Sequence, residues 1–277
     1  MPELPEVDLV ARNLARHVTS RCILRARLLR PGLAPDTLPI QFARLLRNSR
    51  VESIGRRGKH ILLMLDNGRV LIVHLRMTGR FLFLPPKAPQ PKHTHAIFHL
   101  DDARRLVFID QRHFGLMKIV TQEKLNEAKE LRRLAPEPFS EEFSIAYLEA
   151  ILKKSRRALK ETLLDQTKVT GLGNIYAAES LFLAQIHPSK IAASLSRRRI
   201  PMLHEAIRSV LGEAMAHVST ISLDMENIEG SYFSGSNDGR WRVYDREGEP
   251  CSICGGRIRR IKQSGRSTYF CPRCQRR

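Results

Sequence analysis

The spacing of apolar residues changes along the chain and predicts its elements in order. Residues 5–18 carry apolar side chains three or four positions apart, which is typical of an amphipathic helix. From about residue 23 to residue 120, short apolar runs alternate with turn residues, as they do in strands. This half of the sequence predicts a two-layer β-sandwich with the N-terminal helix against one end.

Two β-hairpins are predicted within the strand-rich region. Residues 61–75 form one, because an Asn67-Gly68 pair between two apolar runs is a strong hairpin signal. Residues 96–109 form the second. The proline-rich segment 85–91 between them predicts a rigid surface loop.

Helical spacing replaces the strand pattern after a linker at 134–139. Ser140 is the predicted N-cap of the first helix that follows. The helices are expected at about 141–153, 157–166, 175–184 and 199–218. A mobile loop is predicted at 219–240, rich in serine, glycine and asparagine, and a small cysteine-containing module at 245–277.

Three domains of a multidomain α+β protein are predicted from this order of elements. The first, 1–132, is a β-sandwich with an N-terminal helix. The second, 133–240, is helical and of the helix–two-turn–helix type. The third, 241–277, is a small β-hairpin module that contains four cysteines.

Basic residues far outnumber acidic ones. The chain has 47 Lys and Arg against 28 Asp and Glu, a formal net charge of +19. This balance favours a polyanionic partner, because neutralising phosphates releases bound counterions; an anionic membrane surface or small substrate is the alternative. No apolar run approaches the roughly 20 residues that span a bilayer, and no signal-peptide pattern opens the chain. A soluble, cytoplasmic protein is therefore expected.

Four of the five cysteines lie in the last 27 residues. Cys251 and Cys254 form one Cys-x-x-Cys pair, and Cys271 and Cys274 form another. This is the spacing of a four-thiolate zinc site, whereas two disulfides are disfavoured in a reducing compartment. Four thiolates complete a tetrahedron, so the sequence predicts one structural Zn²⁺ ion and not a catalytic one.

The start of the chain places Pro2 beside Glu3. Pro2 is small enough that removal of Met1 is expected, and its secondary α-amine would then titrate near about 7.7–8.0. Such an amine is nucleophilic near neutral pH and converts a sugar aldehyde carbon to an iminium. Glu3 is a candidate general acid or base. The alternative is that Pro5 simply begins a helix.

Three further motifs have a functional and a structural interpretation. The glycine-rich turn that leads to Asn174 opens a helix, where amides and the helix dipole favour a phosphate, or its glycines merely permit a tight turn. Residues 251–277 contain eight Lys and Arg and no acid, which favours DNA contact over a solvated cap. Met77 and Phe114, beside arginines after strands, are suited to filling the space of an extruded base or to the core.

Taken together, these motifs resemble the bacterial formamidopyrimidine-DNA glycosylase family over essentially the whole chain. The matching segments are Pro-Glu-Leu-Pro-Glu-Val at 2–7, Arg-Arg-Gly-Lys at 56–59, His-Leu-Arg-Met at 74–77, Asp-x-Arg-x-Phe-Gly at 110–115, Gly-Leu-Gly-Asn-Ile-Tyr at 171–176, and the zinc hairpin with Arg266. The resemblance implies a bifunctional glycosylase and abasic-site lyase that removes oxidised purines from double-stranded DNA, acting as a monomer.

The resemblance also implies catalytic roles. Pro2 would be the nucleophile on C1′ of the damaged nucleoside, and Glu3 the acid that assists opening of the sugar ring. Lys59 would serve β-elimination or hold a phosphate. Arg266 would serve δ-elimination or hold a phosphate.

DNA-binding roles follow from the same resemblance. Three residues would fill the space of the extruded base, with Arg112 facing the unpaired cytosine: Met77, Arg112 and Phe114. The other implied contacts, mainly with phosphates, are His74, His93, Arg156, Lys160, Asn174 and Tyr244.

The sequence departs from the family pattern at three places. His113 stands where many relatives carry a second arginine, and Asp245 stands where a glycine is common. Residues 219–240 do not closely match the usual damage-recognition loop. These departures bear on grip of the strand and on lesion preference, and leave Arg112 and Phe114 in place.

Two other hypotheses stay open. An endonuclease VIII-type glycosylase shares Pro2 and Glu3 but prefers oxidised pyrimidines; Leu4 argues against it, since that branch usually carries glycine there. A zinc-containing DNA-binding protein without catalytic activity would explain the charge, the cysteines and the glycine turn, but it would not require Pro2 beside Glu3.

Overall fold

The structure, a computed structural model, describes residues 1–220 and 241–276. Met1–Arg132 form one compact unit, and Arg133–Ala216 with the C-terminal residues 241–276 form a second. The loop predicted at 219–240 lies, beyond its first two residues, outside the described residues. The three-domain boundaries stay a prediction.

Residues 1–132 contain two α-helices and eight strands. The helices are α1 (Leu4–Val18) and α2 (Pro39–Leu46). The strands are β1 (Cys22–Leu28), β2 (Ser49–Arg57), β3 (His60–Leu65), β4 (Arg69–His74), β5 (Gly79–Leu84), β6 (Thr94–Leu100), β7 (Arg105–Asp110) and β8 (Leu116–Thr121). Both predicted hairpins are confirmed as β3–β4 and β6–β7, and Gly68 takes the positive φ of 73° that the first turn requires.

The eight strands form one antiparallel sheet in the order β5-β7-β6-β1-β2-β3-β4-β8. It bends between β1 and β2, where only Cys22 and Ile23 are paired across the two strands. Apolar side chains from both four-stranded halves belong to one buried cluster. Leu63 of one half and Phe81 of the other line the same small apolar cavity in its interior. The sandwich predicted from alternation is therefore confirmed.

Helix α1 packs on the sandwich through the apolar face that its sequence predicts. Leu4, Val7 and Leu14 are buried in this face. An ion pair joins Asp8 near the start of α1 to Arg56 near the end of β2, with Oδ1 and Nε 3.4 Å apart. The N-terminus of α1 therefore lies near the β2–β3 turn.

The second unit contains helices and a β-hairpin. The helices are α3 (Ile145–Lys153), α4 (Leu159–Leu164), α5 (Asn174–Leu183) and α6 (Ile200–Thr220), and the strands are β9 (Arg259–Gln263) and β10 (Arg266–Phe270). The glycine-rich turn before α5 is held by Gln166, whose side chain accepts from the N–H of Gly171 and donates to the C=O of Leu172. Within the described ranges, no helix is long and apolar enough to cross a membrane.

The predicted start of the first helix in this unit was wrong. The helix begins at Ile145, and its N-cap is Ser144, whose hydroxyl accepts the N–H of Tyr147 at 3.1 Å. Ser140 lies in a preceding turn, where its C=O accepts the N–H of Phe143. Both serines precede an apolar run, so the sequence pattern fits either as N-cap; the backbone of the folded chain decides which one begins the helix.

Replacing each serine in turn tests this assignment. Ser144→Ala should lower the free energy of unfolding by about 1 kcal/mol, because an N–H at the helix start loses its acceptor. Ser140→Ala should change it by less than about 0.5 kcal/mol. Urea unfolding measures both, and a larger loss for Ser140→Ala would contradict the assigned N-cap.

Candidate active site and nucleic-acid interface

Pro2 and Glu3 lie at the N-terminus of α1, and both are buried. Glu3 is the N-cap residue and is 2% exposed. Its N–H donates to Oε2 of Glu6 at 2.7 Å, and its C=O accepts the N–H of Val7 at 3.0 Å. The first turn of α1 therefore fixes the backbone on which a Pro2 amine would be carried.

Lys59 lies in the β2–β3 turn, on the side of the sandwich near the start of α1. It is 4% exposed and follows Gly58, whose φ of 57° makes the turn possible. Arg56 donates to the C=O of Gly58 at 2.9 Å while pairing with Asp8 of α1. The structure thus brings two buried ionisable side chains, Glu3 and Lys59, to neighbouring elements.

His74 ends β4 beside this turn, and its ring lies 4.6 Å from that of His60 between centroids. Burial lowers the pKa of His74 to about 2, and the charges of Arg76 and Lys59 act in the same direction. The N–H of Arg76 donates to Nδ1 of His74 at 3.0 Å. His74 is therefore neutral with its proton on Nε2, which makes it a hydrogen-bond donor to an anion.

The 110–115 segment is organised by Asp110, which is fully buried. Its carboxylate accepts the N–H of Gly115 at 2.6 Å and the N–H of Arg112 at 3.2 Å. The hydroxyl of Thr78 donates to the same carboxylate. Burial raises the pKa of Asp110, but these hydrogen bonds outweigh it and hold the pKa below its ordinary value.

The side chains proposed to replace an extruded base are exposed. Met77 is 41% exposed and Phe114 is 51% exposed, so the interpretation of these two as core residues was wrong. The guanidinium of Arg112 lies 5.1 Å from the ring centroid of Phe114, a cation–π contact. Met77 and His93 line one pocket of about 260 Å³.

Lys160 is buried in the second unit and uses its ammonium within the protein. It is 1% exposed, and Nζ donates to Oδ1 of Asn174 at 2.6 Å, to Oγ1 of Thr268 at 2.8 Å and to the C=O of Ser267 at 3.1 Å. Nδ2 of Asn174 donates to the same Ser267 carbonyl at 2.9 Å. Three acceptors match the three N–H groups of an ammonium. Lys160 and Asn174 therefore join the start of α5 to the hairpin.

Arg266 lies directly after the tip of this hairpin and is exposed. The tip is a two-residue turn in which Ser264 and Gly265 both have positive φ, 45° and 77°. The hydroxyl of Ser264 donates to the Glu161 carboxylate of α4. Arg156, in the loop before α4, is exposed as well.

Tyr244 is placed by a buried carboxylate of α5. Glu179 is fully buried and accepts three backbone N–H groups at 2.9 Å each, from Arg242, Val243 and Tyr244. The ring of Tyr244 also makes an edge contact with Tyr269 of the hairpin. Burial raises the pKa of Glu179, and the three amides act in the opposite direction.

The four hairpin cysteines converge. Their sulfur atoms all lie within 4.8 Å of one another, with Cys251 and Cys274 3.8 Å apart and Cys254 and Cys271 3.4 Å apart. Tetrahedral zinc with Zn–S bonds of about 2.3 Å places sulfur atoms roughly 3.8 Å apart. This is a structural zinc site, as the sequence predicts.

Three successive segments of the chain match domains of known protein families. Residues 1–117 match the formamidopyrimidine-DNA glycosylase N-terminal domain, residues 134–225 match the H2TH domain of the same enzymes, and residues 248–277 match a zinc finger found in FPG and IleRS. The formamidopyrimidine-DNA glycosylase of Heliobacterium modesticaldum is 43% identical, with 100% of each chain covered. The chain belongs to the formamidopyrimidine-DNA glycosylase family.

Other members of this family agree with that result. The formamidopyrimidine-DNA glycosylase of Desulforamulus reducens is 40% identical over 100% of this chain and 99% of its own. The Lactococcus lactis glycosylase bound to DNA containing Fapy-dG is 34% identical, with a TM-score of 0.89 over 99% of this chain and 100% of that one. The same bacterial enzyme bound to DNA containing an abasic site is 33% identical, with a TM-score of 0.89 over the same shares.

Asp110 and Glu179 organise functional segments of this family member, and the sequence analysis assigned neither of them a role. Asp110 opens the Asp-x-Arg-x-Phe-Gly motif, and Glu179 is the one acid in the apolar helix α5. An acid in an otherwise apolar run is a usable signal, because burying a carboxylate requires hydrogen bonds to it. The sequence does not show which N–H groups supply those bonds.

The role of Asp110 can be measured by unfolding. Asp110→Asn should lower the free energy of unfolding at pH 7 by about 1–3 kcal/mol, because an amide N–H₂ group then faces backbone N–H groups. Since the folded pKa of Asp110 is depressed, its contribution is complete above about pH 4 and is lost as the pH falls through the folded value. The difference between the two proteins should therefore shrink in acid. Asp36→Asn, which removes an exposed partner of Lys118, is the control and should cost less than about 1 kcal/mol.

Removing the zinc site should affect the hairpin. Cys254→Ser should abolish stoichiometric zinc and unfold residues 251–276, because hairpins this small depend on the metal for their fold. Metal analysis and hydrogen exchange of the hairpin amides measure both effects. Cys22→Ser, which changes a cysteine of β1, is the control and should keep one zinc ion per chain. Protected hairpin amides in zinc-free protein would contradict this prediction.

Proposed function

We propose that this protein is a bifunctional DNA glycosylase and abasic-site lyase that removes oxidised purines from double-stranded DNA. The observation that carries the proposal is the burial of Pro2 and Glu3 at the start of α1, in a chain that matches formamidopyrimidine-DNA glycosylases from end to end. 8-Oxoguanine and formamidopyrimidines are the proposed substrates. The proposed setting is the bacterial cytoplasm, where a monomer would act on the chromosome.

The chemistry requires Met1 to be removed, which exposes the secondary amine of Pro2. The positive end of the α1 dipole disfavours a charged amine, so the neutral nucleophile is favoured at this place. Attack of the nitrogen on C1′ displaces the oxidised base, which leaves with the electron pair of the glycosidic bond and takes a proton. Glu3 is the proposed donor of a proton to O4′, which opens the sugar and yields an iminium.

Strand cleavage then follows from the iminium. It acidifies the 2′ carbon, and loss of a 2′ proton expels the 3′ phosphate by β-elimination. A second elimination, for which Arg266 is the proposed aid, expels the 5′ phosphate. Lys59 is the proposed acid/base or phosphate ligand for the first elimination, and its burial in the β2–β3 turn near the start of α1 supports that assignment.

Access to C1′ requires the damaged nucleotide to leave the stack, at a cost of a few kcal/mol. We propose that the exposed side chains Met77, Arg112 and Phe114 offset this cost, because they would occupy the space that the nucleotide leaves in the stack. His74 and His93 are proposed phosphate contacts. For His74 the supporting observation is a neutral ring with Nε2 as donor.

The DNA contacts proposed for the second unit divide into two kinds. Arg266 and Arg156 are exposed and suited to direct contact with phosphates. Lys160 directs its ammonium to three protein acceptors, so we propose that it positions Asn174 and the hairpin tip and does not itself contact a phosphate. Tyr244 is half-buried and held by Glu179, and it is proposed as a further phosphate contact.

Oxidised pyrimidines are a second candidate substrate class. The Lactococcus lactis enzyme, 33% identical with a TM-score of 0.90 over 100% of each chain, has been solved in complex with DNA containing an oxidised pyrimidine. The endonuclease VIII-type hypothesis is disfavoured because the curated relatives are named formamidopyrimidine-DNA glycosylases. A panel with 8-oxoguanine and thymine glycol duplexes separates the two classes of lesion.

Borohydride trapping tests the mechanism. Full-length protein incubated with an 8-oxoguanine·cytosine duplex and borohydride should form a covalent adduct, because the reagent reduces an iminium to a stable amine. Peptide mapping should locate the DNA on an N-terminal Pro2. Pro2→Gly should reduce adduct and strand cleavage at least about a hundredfold, the size of effect expected when a nucleophile is lost.

Pro5→Ala is the matched control, because it replaces a proline of the same turn without touching the amine. It should keep the adduct within about twofold of wild type. An adduct mapped to a lysine would refute the Pro2 mechanism. Binding of lesion DNA without adduct or cleavage, in protein shown to lack Met1, would instead support the binding-protein hypothesis.

A further inference from the structure

The 110–115 segment is fixed at a second point, besides Asp110, by His113. His113 takes a left-handed conformation, with φ of 63°, between Arg112 and Phe114. Arg112 and Phe114 contact each other, whereas the ring of His113 contacts β6. Positive φ is uncommon outside glycine, although histidine, asparagine and aspartate adopt it more often than other residues do.

The contact with β6 is a histidine pair. Nδ1 of His113 and Nε2 of His95 are 2.9 Å apart, and the two ring planes differ by 17° with centroids 4.9 Å apart, so the rings meet edge to edge as an N–H···N hydrogen bond requires. The ring of His93 lies on another side of His113, 5.8 Å away between centroids. The N–H of Asp110 donates to the C=O of His93, so residues 93–95 contact both the end of β7 and the loop that follows it.

The number of protons on the two imidazole rings decides whether the hydrogen bond between His113 and His95 can form. A hydrogen bond between two imidazole nitrogens needs one N–H and one lone pair, so the pair holds with no extra proton or with one. With two extra protons, two N–H groups face each other at 2.9 Å and two positive charges repel. The pair is therefore a contact that opens in acid.

The groups around the pair oppose the second proton. His95 is 4% exposed, and its charged or titratable neighbours are His113, Asp110, Arg30 and His93. Burial and the positive neighbours lower the pKa of His95, and only Asp110 acts in the opposite direction. The pair thus remains intact at neutral pH.

We propose that His113 is a positioning residue, whose hydrogen bond with His95 presents Arg112 and Phe114 to the space of the extruded base. This inference rests on the proposed function, because it assigns those two side chains to base extrusion.

The test uses four variants of the full-length protein in single-turnover excision of 8-oxoguanine from a duplex between pH 5 and pH 8. His113→Asn removes the ring and retains a residue that tolerates positive φ. His95→Ala removes the partner, and the double variant removes both. His99→Ala is the matched control, because His99 is a histidine of the same strand whose Nε2 lies 3.4 Å from the guanidinium of Arg25.

At pH 8 each single variant should be about tenfold slower than wild type, the ratio that about 1.4 kcal/mol produces. The double variant should lie within about twofold of the singles, because all three lack the same contact. The ratio of wild type to variant should decrease as the pH is lowered from 8, since a second proton opens the pair in wild type too. His99→Ala should match wild type throughout.

Three results would overturn the inference: single variants as fast as wild type, a double variant slowed about a hundredfold, or a ratio that stays constant across the pH range. A merely structural role predicts the last of these. Wild-type protein that neither excises the base nor forms a borohydride adduct would contradict the proposed function itself and this inference with it. Active wild type with unaffected variants would refute only the role of His113.

Discussion

The need to satisfy buried carboxylates fixes the functional segments of both units. A carboxylate removed from water is unstable unless hydrogen-bond donors surround it. Asp110 obtains its donors from the segment that carries Arg112, and Glu179 obtains its donors from the three residues that end at Tyr244. Each loop is therefore held by its backbone, which leaves its side chains available for DNA.

The buried ammonium of Lys160 needs hydrogen-bond acceptors, as the buried carboxylates need donors. Its Nζ donates to Asn174 of α5 and to Ser267 and Thr268 of β10, so these hydrogen bonds to the charge join the hairpin to the helix. Zinc fixes the other end of the hairpin through Cys251 and its partners. A β-hairpin of two five-residue strands has little hydrophobic core of its own. The Lys160 hydrogen bonds and the zinc site stabilise it in place of a core.

The high positive charge of the chain is accompanied by histidines kept neutral. Burial and neighbouring cations lower the pKa values of His60, His74 and His95, so none of them adds charge near neutral pH. A neutral ring both donates and accepts, which a cation does not. His74 is thereby a directed donor, and His95 is able to pair with His113.

The sequence alone determined the elements and their chemistry: alternation predicted the sandwich, an Asn-Gly pair predicted its first hairpin, and cysteine spacing predicted zinc. These signals are local, so neighbouring residues carry them. Tertiary structure decided which groups satisfy the buried charges, because the Thr78 hydroxyl that donates to Asp110 and the Thr268 hydroxyl that accepts from Lys160 come from residues far apart in the chain. It also decided where the first helix of the second unit begins, and with it the choice of Ser144 over Ser140 as N-cap. The pairing of His113 with His95 is of the same kind, since a strand from elsewhere supplies the partner.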